Sequence, residues 1–86
     1  RLDVNFSVLF ANVKIEEGAK IPDSIIMPGS VVKKGAVVEY SIIAENAVIE
    51  EGAKVGASEK DSAPGEWGIT VIGENVTVAK DEVVPP

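Results

Sequence analysis

The sequence predicts an all-β protein, a parallel β-helix of about four triangular coils. Three observations support this: a 17-residue repeat, three aliphatic positions in each copy, and Gly, Asn or Asp between them. The copies begin at Asn5, Pro22, Glu39 and Gly68, and 12 inserted residues separate the last two copies. A short internal period is typical of stacked units that share one core.

Each copy carries three large aliphatic residues that we expect to point into the prism. The residue two positions before each of them is usually small. This alternation of inward and outward residues predicts three short strands per copy. The expected core residues are Leu9, Ile26, Ile43 and Ile72 on the first side, Ile15, Val32, Ile49 and Val78 on the second, and Ile21, Val38, Val55 and Val84 on the third.

The corners of the triangle are predicted where Gly, Asn or Asp recurs, because these residues adopt positive φ at the least cost. The strand spacing is six, six and five residues, so the third corner is the shortest. The two longer corners hold Asn12, Gly29, Asn46 and Asn75, and Gly18, Gly35, Gly52 and Asp81.

Glu82 departs from the repeat, since Ala fills its position in the other three copies. Two prolines, Pro85 and Pro86, follow shortly afterwards. We interpret this as the coil opening at the end of the chain, with Glu82 as an exposed terminal residue.

Composition restricts the possible partners and compartment. A chain of 86 residues is one domain at most. The net charge of −6 argues against nucleic acid or an anionic membrane as a partner. The absence of cysteine excludes a disulfide framework and a thiolate site, which fits a cytoplasmic protein. The start lacks a Met and a signal-peptide pattern, so we expect an excised piece of a longer protein.

The spacing of about six residues between aliphatic positions resembles the hexapeptide repeat of single-stranded left-handed β-helices. The left hand comes from this resemblance, since parallel connections are right-handed in about 98% of cases. Three strings indicate which family of left-handed β-helices the chain resembles: DSIIMPG (23–29), SIIAE (41–45) and GITVIGEN (68–75). They resemble the C-terminal domain of bacterial glucose-1-phosphate adenylyltransferase, also called ADP-glucose pyrophosphorylase, over essentially the whole chain.

That family makes ADP-glucose and diphosphate from ATP and glucose 1-phosphate for glycogen or starch. The resemblance implies that residues 1–86 are the β-helix domain of a parent whose N-terminal half is catalytic and uses Mg and ATP. This domain has no clustered glycines that would form a nucleotide loop, so we expect no cofactor in it. The implied role is oligomerisation and allosteric regulation. The implied partners are the parent's own catalytic domain, identical subunits and a phosphorylated-sugar effector.

Two other functions remain open. One is the β-helix domain of another sugar-1-phosphate nucleotidyltransferase, such as a mannose-1-phosphate guanylyltransferase. The other is a stand-alone hexapeptide-repeat acyltransferase. Such enzymes resemble this chain in their six-residue repeat but use a histidine as the general base. Histidine and cysteine are both absent, so the sequence offers no such base and no nitrogen/sulfur zinc site. We therefore expect no catalytic and no metal-binding residue.

Lys33 and Lys34 are the one adjacent basic pair and the candidate contact for an anionic effector. Glu16 and Glu50 share the column of Lys33 in the neighbouring copies. The alternative, which we favour, is a solvated ladder of alternating charges that contributes to stability.

The outward positions of the first side are all apolar, unlike those of the other two sides. We call this set the apolar face, and its members are Val8, Phe10, Ile25, Met27, Ile42 and Val71. A soluble monomer rarely exposes a contiguous apolar patch beyond a few hundred Å². We predict that the face is buried against the catalytic domain or another subunit; the alternative is the ordinary preference of strands for β-branched residues.

Residues 56–67, GASEKDSAPGEW, are rich in Gly, Ser, Pro and charge, so we predict an inserted loop at the short corner. The loop contains Trp67, the one tryptophan of the chain. We expect its side chain to pack on the prism as a plug, and the alternative is an anchor for a partner.

Overall fold

The computed structural model describes residues 7–57 and 68–85, which form eleven short strands and no helix. No helix in this part of the chain is therefore available to cross a membrane. The strands are β1 (Val8–Leu9), β2 (Lys14–Ile15), β3 (Ile25–Ile26), β4 (Val31–Val32), β5 (Val37–Val38), β6 (Ser41–Ile43), β7 (Val48–Ile49), β8 (Lys54–Val55), β9 (Thr70–Ile72), β10 (Thr77–Val78) and β11 (Val83–Val84).

All strand pairs are parallel and join equivalent positions of successive repeats. The first sheet has the order β1-β3-β6-β9, the second β2-β4-β7-β10 and the third β5-β8-β11. A bridge between Lys20 and Val37 extends the third sheet to the first coil. Three parallel sheets around one core are a parallel β-helix of four coils, which confirms the predicted fold class. The left hand stays a prediction from the resemblance.

The insertion between the third and fourth copies leaves the register unchanged. Ser41 pairs with Thr70 and Ile43 pairs with Ile72, a separation of 29 residues that equals the 17-residue period plus 12 inserted residues. The side chain of Trp67 and most of the predicted loop lie outside the described residues.

The core is a column of aliphatic side chains that runs through all four coils. Nine of the twelve predicted core residues are buried. Leu9 is 41% exposed, and Ile15 and Val84 are half-buried. The prediction that Leu9 is buried was therefore wrong, because within the described residues its strand β1 has a neighbouring strand on one side alone.

The two longer corners turn as predicted. All eight Gly, Asn and Asp residues assigned to them have positive φ, between 57° and 79°. At the corner of Gly29, the Ser30 N–H donates to the Met27 carbonyl at 3.4 Å, which closes a four-residue turn. A positive φ at the third residue of such a turn is the type II pattern, which favours Gly or Asn there.

The short corner is built differently, with Asp23 (φ 50°) and Tyr40 (φ 48°) in the left-handed region. One residue fewer leaves no room for the four-residue turn. Instead, the Ser24 hydroxyl donates to the Pro22 carbonyl at 3.0 Å. The Ser24 hydroxyl also accepts the Ser41 N–H of the next coil at 3.2 Å. Serine therefore recurs inside this corner because its hydroxyl satisfies buried backbone groups.

The coil does not open at Glu82, so that interpretation was wrong. The Lys54 N–H donates to the Glu82 carbonyl at 2.8 Å, and β11 then pairs in register with β8. The ladder to the third coil holds this segment because its strand residues still fit the repeat. Glu82 is exposed, as expected for its side chain.

We expect Gly56→Ala to destabilise the fold strongly. A Cβ at Gly56 would lie 2.1 Å from the Glu39 carbonyl oxygen and 2.6 Å from the Ser41 hydroxyl, at a φ of 73°. The backbone of Glu39 cannot move without breaking the ladder. The left-handed conformation costs about 1–2 kcal/mol, and overpacking adds about 1–3 kcal/mol. Urea unfolding followed by circular dichroism measures the sum.

Gly35→Ala is the matched control, since Gly35 has a φ of 71° and nothing within 4 Å of its Cβ position. Gly35→Ala should lose only the stability that corresponds to the cost of the left-handed backbone conformation. Equal losses in the two variants would contradict the close approach at Gly56.

Candidate functional site

The centre of the apolar face is a row of four aliphatic side chains, one from each coil. Val8 pairs with Ile25, Ile25 with Ile42, and Ile42 with Val71, on strands β1, β3, β6 and β9. Neighbouring strands lie about 4.8 Å apart, so the row extends over about 14 Å. The parallel register aligns these residues because each occupies the same position of its repeat.

The row is open to solvent at its ends and partly covered in its middle. Val8 is 50% exposed, Ile25 37% and Val71 64%, whereas Ile42 is half-buried. Each neighbour in the row covers part of the next side chain. Fully outward aliphatics that are aligned in this way form a continuous apolar stripe.

A second row flanks the first at the C-terminal ends of the strands. The Phe10 N–H donates to the Ile26 carbonyl at 3.1 Å, and the Met27 N–H donates to the Ile43 carbonyl at 2.9 Å. These ladder bonds place Phe10 and Met27 in equivalent positions on adjacent coils. Phe10 is exposed, and Met27 is half-buried. The two rows make the apolar face wider than a single strand.

The other two sides do not show this bias. Lys14 and Thr77 interrupt the outward row of the second sheet, and Lys20 and Lys54 interrupt that of the third. Among the described residues, the exposed large apolar side chains of the first side are Val8, Phe10, Ile25, Ile69 and Val71. The remaining ones are Leu9, Val76 and Val83, which belong to the two end coils. The structure thus brings the six predicted face residues together on one side.

The candidate effector residues lie at the corner between the second and third sides. The Lys33 ammonium forms an ion pair with Glu50 at 3.2 Å, and the Lys34 N–H donates to Glu16 Oε1 at 3.1 Å. The Lys33–Glu50 pair is one step of the expected charge ladder, whereas Glu16 accepts a backbone N–H. The Lys34 side chain is exposed. Contact with an effector stays a prediction, and Lys34 has the more accessible charge.

No group of His, Cys, Asp or Glu within residues 7–57 and 68–85 is arranged to hold a metal ion. At the short corner, the pKa of Tyr40 is raised above its ordinary value. The main cause is repulsion of the phenolate by the Asp23 carboxylate, followed by desolvation, a hydrogen bond to Asp23 and the charge of Glu39. Sequence reasoning missed this pair, although the two residues are one 17-residue period apart.

We expect Asp23→Asn to lower the pKa of Tyr40 towards its ordinary value of about 10. Asn removes the main charge and still tolerates positive φ. The chain has a single tyrosine, so phenolate absorbance during alkaline titration reports this residue directly.

The raised pKa means that the folded state holds the Tyr40 proton more tightly than the unfolded state. Its contribution is present below the unfolded pKa of about 10 and is lost as the pH rises through the folded value. Glu39→Gln removes the weakest of the four causes and should shift the titration least. A larger shift in Glu39→Gln than in Asp23→Asn would contradict this assignment.

Comparison with known proteins assigns the chain to a family. No curated protein and no solved structure matches it significantly. The family model of the GMPPB C-terminal domain matches residues 4–85, which include all eleven strands. The chain therefore belongs to the GMPPB C-terminal domain family, a family of sugar-1-phosphate nucleotidyltransferase C-terminal domains.

Proposed function

We propose that this chain is the non-catalytic assembly and regulatory domain of a glucose-1-phosphate adenylyltransferase, whose full-length form makes ADP-glucose for glycogen or starch. The family match supports the coarser class of sugar-1-phosphate nucleotidyltransferases. The adenylyltransferase assignment rests on the strings DSIIMPG and GITVIGEN. The first string spans the short corner and β3, and the second spans β9 and the corner after it.

The chemistry of the described residues supports a non-catalytic role. The sequence has no histidine and no cysteine, the residue types that would serve as a general base or a thiolate nucleophile near neutral pH. In this proposal Mg and ATP act in the parent's catalytic domain, in the cytoplasm, and the β-helix contributes contacts.

The apolar face is the observation that carries the assembly role. Aligned aliphatic side chains from four coils form an apolar stripe, and exposing this stripe to water is unfavourable. Burying them needs a matching apolar surface on the parent's catalytic domain or on a neighbouring subunit. Two domains joined by a linker can form even a small interface, because the linker gives each domain a high effective concentration near the other.

A phosphorylated sugar is the proposed effector, and Lys34 is its candidate contact. The Lys34 ammonium is exposed, whereas the Lys33 charge is already paired with Glu50. Neighbouring carboxylates weaken the attraction of this corner for an anion. An effector site that uses Lys34 therefore needs further cations from the catalytic domain or another subunit.

The double substitution Ile25→Glu plus Ile42→Glu should disrupt assembly of the full-length enzyme. Both side chains are at the centre of the apolar face, and a buried unpaired carboxylate costs about 3 kcal/mol or more. Association with the partner surface should weaken by more than about 100-fold. Light scattering gives the oligomer mass, and an activity assay on the same sample gives the functional consequence.

Val31→Glu plus Val48→Glu is the matched control. These valines are also outward, paired and half-buried in coils 2 and 3, but they lie on the second sheet. The control should keep the wild-type mass and activity. If both double variants behave alike, or if the first keeps its mass and activity, the apolar face is not an assembly surface.

The family match favours a second candidate, the β-helix domain of another sugar-1-phosphate nucleotidyltransferase such as a mannose-1-phosphate guanylyltransferase. The two candidates differ in the substrates of the parent and share the scaffold. The domain itself would have the same assembly role in either enzyme.

Assays of the full-length enzyme with each nucleotide and each sugar phosphate separate the two candidates. We expect ATP with glucose 1-phosphate to be the preferred pair by at least about tenfold in kcat/KM, which is about 1.4 kcal/mol in transition-state binding. Preference for GTP with mannose 1-phosphate would establish the alternative. Measured diphosphate release serves both reactions, so one method compares all four combinations.

A further inference from the structure

The residues of the second, flanking row of the apolar face change in size along the prism. In coil order they are Phe10, Met27, Ala44 and Gly73. The Ala44 N–H donates to the Ile72 carbonyl at 2.9 Å, which extends the alignment of Phe10 and Met27 to the last two coils. The first two residues are large and the last two are small. The face is therefore raised over the first two coils and recessed over the last two.

The backbone does not require the smallest of these residues. Gly73 directly follows β9 and does not adopt the positive φ of the corner glycines. Beyond its chain neighbours, a Cβ on Gly73 would have Val76 Cγ2 as its nearest atom, at 3.6 Å. That distance is an ordinary van der Waals contact, so the coil has room for a side chain here. Glycine in a strand often marks the close approach of another chain or ligand.

A second copy of the same face fits this relief when its coil order is reversed. The required twofold axis runs along the strand direction, between the second and third coils. It places Met27 of one copy opposite Ala44 of the other, and Phe10 opposite Gly73. Large residues then meet small ones in both halves of the face. Each contact occurs twice, as an isologous interface requires.

The central row is compatible with the same axis. Ile25 of one copy lies opposite Ile42 of the other, and Val8 lies opposite Val71, so aliphatic side chains of similar size meet along the row. Val8 is 50% exposed and Val71 is 64% exposed, so the ends of the row have the most apolar surface to bury.

The carboxylates beside the apolar face are all matched with uncharged residues when the coils are reversed. The pairs across the axis are Glu45 with Pro28, Glu74 with Ala11, Asp23 with Tyr40 and Glu39 with Pro22. Glu45 and Glu74 are exposed, so they can stay at the rim of the contact in water. No like charges are brought together within the described residues.

The other twofold arrangement of two such faces is electrostatically unfavourable. An axis along the prism keeps the coils level and reverses the strands. It places Glu45 of one copy opposite Glu39 of the other, and Met27 opposite Asp23. Like charges that face each other are destabilising, and a carboxylate buried without a partner is costly. The margins of the face therefore favour the reversed coil order.

We propose that the apolar face pairs with the same face of a second copy of this chain, with the coil order reversed. This inference rests on the proposed assembly role of the face and names its partner. The four coils are about 19 Å tall, and residues 23–28 span about 17 Å across the face. This outline of about 300 Å² is small beside the roughly 800 Å² per partner of a standard interface. The contact is therefore weak and forms at high protein concentration.

Two single variants that change the size of facing residues test the pairing. Ala44→Met places two methionines opposite each other, and Met27→Ala leaves two alanines opposite each other. Each variant should self-associate at least about tenfold more weakly than the wild type. In a mixture of the two variants, one methionine faces one alanine at both contacts. The heterodimer should therefore form at least about tenfold more tightly than either variant's own dimer.

Sedimentation velocity from about 10 μM to about 1 mM measures the self-association, and a fluorescent label on one variant reports the heterodimer. The compensation occurs between chains, so repacking within one chain cannot produce it. Ala79→Met is the matched control, because Ala79 is exposed and follows β10 on the second side as Ala44 follows β6 on the first. This control should associate as the wild type does.

A wild-type chain that stays monomeric over the whole series would overturn the proposal. A mixture without preference for the heterodimer would overturn it, and so would an Ala79→Met control that associates as weakly as Ala44→Met.

The separate test with Ile25→Glu plus Ile42→Glu distinguishes failure of this pairing from failure of the proposed function. If the heterodimer is not preferred but that double variant still disrupts the full-length enzyme, the face meets the catalytic domain and only the self-pairing is wrong. If neither effect occurs, the assembly role is wrong as well.

Discussion

The parallel hydrogen-bond ladder between successive coils is the constraint on which the rest of this structure depends. Most strands contain two residues, so none could persist without the coils above and below it. The ladder requires equivalent residues of successive coils to stack in register, 17 residues apart in the first three coils and 29 apart across the insertion. That requirement fixes the aliphatic core, the corners and the outward rows simultaneously. A substitution at one coil is therefore felt by its neighbours along the same column.

The ladder also explains why function and stability occupy different parts of one repeat. Inward positions are restricted to aliphatic and small residues by the narrow interior. Outward positions have no such limit, so their chemistry can differ from side to side. On the first side all four central positions are aliphatic, and on the other sides lysines interrupt the rows. The fold itself does not demand this asymmetry, which is why we propose that the apolar face is an assembly surface.

Sequence reasoning succeeded where a position has one dominant requirement. The long corners need positive φ, and Gly, Asn and Asp supplied a clear signal. The short corner was harder, because Tyr40 adopts positive φ without belonging to those residue types. Two further features depend on distances between adjacent coils, which an alignment of the repeats does not show. They are the hydrogen bonds of the serine hydroxyls and the pairing of Asp23 with Tyr40. Glu82 was misread for a related reason, since its side chain departs from the column while its carbonyl keeps the ladder bond to Lys54 and the strand that follows remains paired. The apolar face was visible in the sequence, because its outward positions repeat with the same 17-residue period as the core.

The unchanged register across the insertion has a consequence for how such domains diversify. The Gly56 N–H is bonded to the Val84 carbonyl, and the Thr70 N–H is bonded to the Tyr40 carbonyl at 3.3 Å, so both borders of the inserted segment are fixed by the scaffold. The entropy of closing a loop grows slowly with its length. The number of residues between these borders can therefore vary with little effect on the coils. This corner is a permissive point at which evolution, or a protein engineer, can exchange a peptide while the prism remains the same.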